Sequence, residues 1–251
     1  MLNQATLDKM NAMRLNGMVG AFQHQQSSPD FTSLAFEERL GFLIDAEWDA
    51  REERKLTRRL QVARLRYPAS LEDIDYQTPR GLDRQVVLAL GAGQWIREHQ
   101  ALLITGPTGV GKSYLACAFV HRACRSGFSA RYVRLPRLLH ELIVAHGDGT
   151  YARTLQRLAR LDLLAIDDWL LTPLKDPERR HLLEVIEDRY EQSSTLITTQ
   201  LPVKSWHEAI GEASMADAIC DRLVHRAHVI ALKGPSMRQV RAVRKPAKAS
   251  A

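Results

Sequence analysis

The sequence predicts an α/β fold in which a parallel sheet carries helices on both faces and a small helical domain precedes it. Three observations carry this expectation. Beyond residue 101, short apolar runs alternate with helical stretches, the pattern of a covered parallel sheet. Up to about residue 66 the chain shows helical periodicity and no strand signal. Near the start of the alternating region, Gly106-Pro-Thr-Gly-Val-Gly-Lys-Ser113 fits the pattern G-x-x-x-x-G-K-[ST], with an apolar run before it and a helical pattern after it. With 251 residues, the chain can bury one large domain together with a smaller partner.

The elements follow in order. Leu2, Leu7, Met10, Met13, Leu15 and Met18 form a loose helical stripe, Gly17 and Gly20 mark a break, and Ser27-Ser-Pro-Asp30 is a turn. A second helical stretch places Leu34, Leu40, Leu43, Ile44 and Trp48 inward and becomes charged from Glu47 onward. Pro68 marks the boundary, so residues 1–66 are expected as a helical domain, 67–238 as the α/β domain and 239–251 as a basic tail. Residues 84–95 read as a helix. Strands are expected at 101–105, 130–135, 161–166, 195–199 and 229–232. Helices are expected at 114–122, 136–160, 177–192, 203–210 and 215–224.

The glycine-rich run suits a polyphosphate. Gly106, Gly109 and Gly111 let the backbone adopt unusual φ and approach an anion with no Cβ in the way. The loop 106–114, which includes Pro107, Thr108, Val110 and Tyr114, then frames the anion at a helix N-terminus with the N–H groups of its non-proline residues. Lys112 supplies a point charge to the β- and γ-phosphates of ATP, and the Ser113 hydroxyl can ligate Mg²⁺.

The apolar run 161–166 leads into Asp167 and Asp168, and a strand apolar on both faces belongs in the middle of the sheet. There Asp167 can hold Mg²⁺, while Asp168 can orient or deprotonate an attacking water. An Asp pair at a strand end also serves as a plain helix cap. The next strand ends Thr198-Thr-Gln200, making Gln200, with Thr199 beside it, a candidate γ-phosphate sensor; a β-branched strand with a polar exit fits equally well. Arg222 can reach a neighbouring subunit's γ-phosphate, and Arg238 can contact the nucleotide of its own subunit. Each alone also fits an ordinary surface arginine.

The formal charge of +6 is unevenly spread. Arg51, Arg54, Lys55, Arg58, Arg59, Arg64 and Arg66 face only Glu52 and Glu53, and the tail carries Arg238, Arg241, Arg244, Lys245 and Lys248 without an acid. Such clusters suit phosphate backbones, as they suit solvated surfaces. Cys117, Cys124 and Cys220 lack metal-ligand spacing and read as free thiols, the first two buried, which fits a reducing cytoplasm. No apolar run is long enough for a membrane span.

The order of motifs resembles the IstB insertion-sequence helper ATPases. The segments 106–116, 163–168 (Leu-Leu-Ala-Ile-Asp-Asp), 196–208 (Leu-Ile-Thr-Thr-Gln-Leu-Pro-Val-Lys-Ser-Trp-His-Glu), 216–224 (Ala-Asp-Ala-Ile-Cys-Asp-Arg-Leu-Val) and 232–238 (Leu-Lys-Gly-Pro-Ser-Met-Arg) carry the resemblance, with 7–18 and 37–45 extending it across nearly the whole chain. That family is related to the DnaC helicase loaders, in the initiator branch of the AAA+ ATPases. The resemblance implies a P-loop NTPase αβα sandwich with a five-stranded parallel sheet behind a small α-helical N-terminal domain. It implies ATP-dependent homo-oligomeric assembly on duplex DNA and recruitment of a transposase encoded alongside. Lys112, Ser113 and Asp167 would serve phosphates and Mg²⁺, Asp168 hydrolysis, Thr199 and Gln200 sensing, Arg222 the neighbour's phosphate and Arg238 the bound nucleotide. Asp168 stands where the wider AAA+ pattern has Glu, which matches the helper family. The initiator branch inserts helical structure that meets DNA, and residues 136–160 offer Arg137, Arg153, Arg157 and Arg160 there. A replicative helicase loader, or a DNA scaffold that binds ATP with negligible turnover, are the alternative readings.

Overall fold

Two compact units make up the computed structural model, which describes residues 2–239; one runs to Arg58 and the other begins at Arg59. The expected boundary, between 66 and 67, falls later in the chain. Of the expected basic tail, residues 240–251 lie outside the described ones.

The first unit holds α1 (Leu2–Ala12), α2 (Asn16–Ser27), a 3-10 turn (Pro29–Ser33) and most of α3 (Phe36–Ala63). Gly17 and Gly20 do not break a helix here. They lie inside α2, and the break falls just before it, where Arg14 has positive φ. Gly17 instead permits a close approach, because a Cβ there would collide with the Ala46 backbone of α3. That approach brings buried Glu47 to the start of α2, where it accepts from the N–H groups of Gly17 (2.8 Å) and Met18 (3.3 Å). Arg51 also donates to it at 2.7 Å, and this hydrogen bond is the main cause holding its carboxyl below the usual range. The expectation that α3 turns Leu40, Ile44 and Trp48 inward is not met; all three are exposed, and only Leu43 of that set is buried. Two short helices and a turn offer this unit too little surface to cover both sides of α3.

The second unit is organised by five parallel strands, β1 (Leu102–Thr105), β2 (Ala130–Arg134), β3 (Leu163–Trp169), β4 (Ser194–Thr199) and β5 (His228–Ala231), in spatial order β2-β3-β4-β1-β5. β1, β3 and β4 are buried on both faces because helices cover both. Ahead of the sheet, the stretch expected as one helix is two. α4 (Arg84–Gly91) starts at an Asp83 cap and α5 (Gln94–Arg97) follows Gly93, whose φ is +80°. α6 (Lys112–Arg125) follows β1, α7 (Leu135–Gly147) and α8 (Tyr151–Ala159) follow β2, and α9 (Asp176–Arg189) follows β3. Asp148 separates α7 from α8 by accepting from the N–H (3.0 Å) and hydroxyl (2.6 Å) of Thr150. A 3-10 turn (Val203–Ser205), α10 (Trp206–Ile210) and α11 (Ala213–Val224) connect β4 to β5.

β3 outruns its expected end. It passes through Asp167 and Asp168 to Trp169, which packs on Trp206 with ring centroids 5.4 Å apart. The register with β4 slips between Ile166 and Trp169, and Asp168 sits at φ +56°. All three cysteines are free and buried, and burial pushes the Cys124 thiol up to about 11. No helix among the described residues is long and apolar enough to cross a membrane.

A fully buried cation ties the end of α9 to its surroundings. The Arg189 guanidinium donates to the carbonyls of Leu158, Leu161 and Ser194 and to the Thr195 hydroxyl, and burial lowers its pKa to about 9. Arg189→Ala strands three carbonyls without their donor. It should lower unfolding free energy by about 3 kcal/mol or more, measured by urea denaturation followed by circular dichroism.

Candidate functional site

The site grows from the turn between β1 and α6 at the carboxyl edge of the sheet. Gly106 has φ +144°, and a Cβ there would run into the Leu232 carbonyl oxygen just past β5. Gly109 (φ +81°) is pressed as closely by Ser236, and its carbonyl accepts from the Met237 N–H at 2.9 Å. The Gly106 N–H reaches the Thr199 carbonyl at 3.2 Å, so the loop is held from β4 on one side and from the segment after β5 on the other. α6 then begins at Lys112 and directs its first-turn N–H groups toward the loop.

Lys112 is buried, and its ammonium donates to the carbonyls of Gly106 and Pro107, both at 2.8 Å. Burial lowers its pKa, against the opposing charges of Asp167 and Asp168. The loop carbonyls hold it where a phosphate oxygen can take their place. Asp167 is also buried. Its Oδ1 accepts from Ser113 at 3.0 Å and from Thr198, and its Oδ2 accepts from Tyr132. A serine hydroxyl beside a carboxylate is a hard oxygen pair, the donor set that suits Mg²⁺.

Asp168 faces a different neighbour. Its left-handed backbone takes it out of the strand's alternation, and its Oδ2 accepts from Arg134 Nε at 2.6 Å. With Lys112, Thr198 and Gln200 it lines a cavity of about 110 Å³. A carboxylate there can act on a water beside the phosphate held by Lys112.

The structure brings Lys112, Ser113, Asp167, Asp168 and Gln200 to one place. Gln200 Oε1 accepts from the Thr108 hydroxyl at 2.6 Å, across the loop. Thr199 lines the same cavity. Its hydroxyl donates to the Trp169 carbonyl (3.1 Å) and accepts from the Leu201 N–H (3.0 Å), so it is spent on backbone. Thr198, on the other face of β4, is the threonine that reaches Asp167. Arg238 lines a second cavity of about 410 Å³ beside the loop, with Tyr67, Tyr114 and Met237. This space lies beyond the phosphate loop, and its aromatic rings suit a base and ribose.

Arg222 stands at the other end of the sheet. Just beyond α11, β5 begins with His228 paired to Leu102 at the start of β1, whereas the loop leaves from the end of β1. Arg222 donates to Glu187 (2.9 Å) and the Ala218 carbonyl (2.9 Å) and lies over the Tyr190 ring. Arg153, Arg157 and Arg160 are exposed on and just after α8. Arg137 belongs to α7 and pairs with Glu141 at 3.4 Å. Sequence reading missed Tyr132, Arg134, Thr198 and Arg80. The first two had a findable signal: they alternate along β2 toward the Asp167–Asp168 edge, with Arg134 in register with Asp167. Arg80 had none, since it comes from the linker to donate to the carbonyls of Val110 (2.9 Å) and Asp75 (3.0 Å).

Comparison with known proteins agrees with this geometry. The IstB-like ATP binding protein family matches residues 8–245. An insertion-sequence ATP-binding protein of Sinorhizobium fredii is 51% identical over 239 residues, covering 95% of this chain and 98% of that protein. The insertion sequence IS1162 ATP-binding protein of Pseudomonas fluorescens is 49% identical over 203 residues, 80% of this chain and 88% of its own. Among solved structures, the DnaC helicase loader matches with a TM-score of 0.54 at 18% identity, covering 66% of this chain and 98% of the loader. DnaA from Aquifex aeolicus bound to AMPPCP matches with a TM-score of 0.56 at 14% identity, over 70% of this chain and 53% of that one. These likenesses show the fold: a P-loop AAA+ domain.

Gly106→Ala is expected to break the loop, since the new Cβ meets backbone rather than a movable side chain. Affinity for a fluorescent ATP analogue should fall by about 5- to 150-fold, from strain of about 1–3 kcal/mol. Fluorescence titration beside a thermal melt measures it; unchanged affinity would contradict the close approach.

Proposed function

This chain belongs to the IstB-like ATP-binding family, and from that premise we propose that it is an insertion-sequence helper ATPase that assembles on duplex DNA and recruits a transposase. ATP, with Mg²⁺ held by Ser113 and Asp167, is both ligand and substrate. Lys112 neutralises the β- and γ-phosphates, and Asp168 takes the proton of the attacking water. Gln200, with Thr199 beside it, senses the γ-phosphate, and Arg238 contacts the nucleotide of its own subunit. Mg²⁺ would add charge neutralisation between the phosphates when bound.

The observation that carries the oligomeric part is the place of Arg222. An arginine at the amino end of the sheet is out of reach of its own loop, so it serves the phosphate of a neighbouring copy. Its hold by Glu187 and Tyr190 keeps the guanidinium in one place until a stronger anion competes. Duplex DNA meets Arg153, Arg157 and Arg160, with Arg137 nearer the β2 end. The relatives' names associate them with insertion sequences, which supports a transposase as the partner.

One observation favours the slow-turnover scaffold as a second reading. Asp168 is engaged by Arg134, and a base that accepts from a guanidinium is a poorer proton acceptor until it is released.

Four measurements test these readings. Size-exclusion chromatography with light scattering should show a large complex with ATP and duplex DNA together; a monomer with both ligands would overturn the assembly and leave ATP binding standing. Asp168→Asn should keep nucleotide and DNA affinity and lose turnover by at least about 100-fold, read by phosphate release. Arg134→Gln should raise basal turnover by up to about fivefold, the equivalent of a partly exposed pair of about 1 kcal/mol. DNA affinity should fall steeply with salt for unrelated duplexes alike, and Arg157→Gln should shallow the log–log slope by about one unit.

A further inference from the structure

Tyr132 is the buried polar group nearest the catalytic carboxylates for which the ATPase chemistry above has no use. It lies in the middle of β2, in register with Ala165 of β3, and its side chain passes under the edge where Asp167 sits. Its hydroxyl donates to Asp167 Oδ2, while Ser113 and Thr198 donate to Oδ1. The two oxygens of the carboxylate are therefore divided. One faces the loop serine, and the other is fastened to the neighbouring strand.

The buried Tyr132 phenol meets Asp167 as a hydrogen-bond donor. The Arg66 guanidinium, 5.3 Å above the Tyr67 ring, is close enough for its charge to act on both the phenol and Asp167. A carboxylate that is to share a cation with Ser113 must present Oδ1 in a fixed direction. Rotation about its Cβ–Cγ bond would spoil that direction, and the bond to Oδ2 stops the rotation.

We propose that Tyr132 is the positioning residue for the metal-side acid, locking Asp167 so that its Oδ1 and the Ser113 hydroxyl together receive a divalent cation. The proposal rests on the reading of Asp167 as that acid. It assigns Tyr132 no contact with nucleotide and no part in proton transfer.

The test uses the full chain and a fluorescent, non-hydrolysable ATP analogue, titrated once in excess Mg²⁺ and once in EDTA. The ratio of the two affinities is the gain due to the metal. Tyr132→Phe keeps the ring and removes only the hydroxyl. It should leave the EDTA affinity and the far-ultraviolet circular dichroism unchanged and cut the metal-dependent gain by about tenfold. It should also raise the Mg²⁺ concentration at half-effect by a similar factor. An undiminished gain in Tyr132→Phe overturns the assignment. Equal losses in Mg²⁺ and in EDTA overturn it too, because the hydroxyl would then serve the fold and not the cation. A parent protein with no gain from Mg²⁺ overturns the reading of Asp167 itself, and is told apart by failing before any substitution is made.

Discussion

A buried carboxylate between three hydroxyls is the constraint on which the rest of the catalytic edge depends. Removing Asp167 from water costs several kcal/mol unless its lone pairs are met. They are met from three elements: Ser113 at the start of α6, Tyr132 on β2 and Thr198 on β4. Those donors can converge only if β3 lies between β2 and β4 and α6 starts above it. The spatial order of the strands and the position of the loop helix are thus requirements of one side chain as much as of the apolar core.

Two of the cations assigned to phosphate, Lys112 and Arg222, already have partners within the chain. Lys112 has two loop carbonyls, and Arg222 has Glu187 with an aromatic ring. An incoming polyanion must outcompete these partners, and only a charge-assisted, well-placed acceptor does so. Pre-held cations lose less side-chain entropy on binding than free ones would. Selectivity for a nucleotide in the correct pose follows from displacement as well as from attraction.

How much of this was legible before the fold was seen varied with the kind of force involved. The strands were, because runs such as Leu-Leu-Ala-Ile can satisfy a buried sheet and little else. The loop was, since its glycines answer to φ values that other residues resist. The hydroxyl of Thr198 on Asp167 was not legible, because neighbouring strand residues face opposite sides and the sequence does not say which side meets β3's carboxylate. Arg189 went unnoticed because an arginine ending a charged helix looks solvated, and only the return of the chain around it supplies its four acceptors. Trp48 and Ile44 looked like core, since periodicity reveals an apolar face without revealing whether anything covers it.

The contacts that close the phosphate loop arrive late in the chain. Leu232 walls Gly106, Ser236 crowds Gly109, and the Met237 N–H takes the Gly109 carbonyl. During synthesis, the loop, its helix and both catalytic aspartates leave the ribosome well before these residues do. A nascent chain stopped ahead of β5 holds every residue of the phosphate-binding motif and yet lacks the wall that shapes it. The shape of the loop is thereby deferred until the segment after β5 has been made and has folded back onto Gly106 and Gly109.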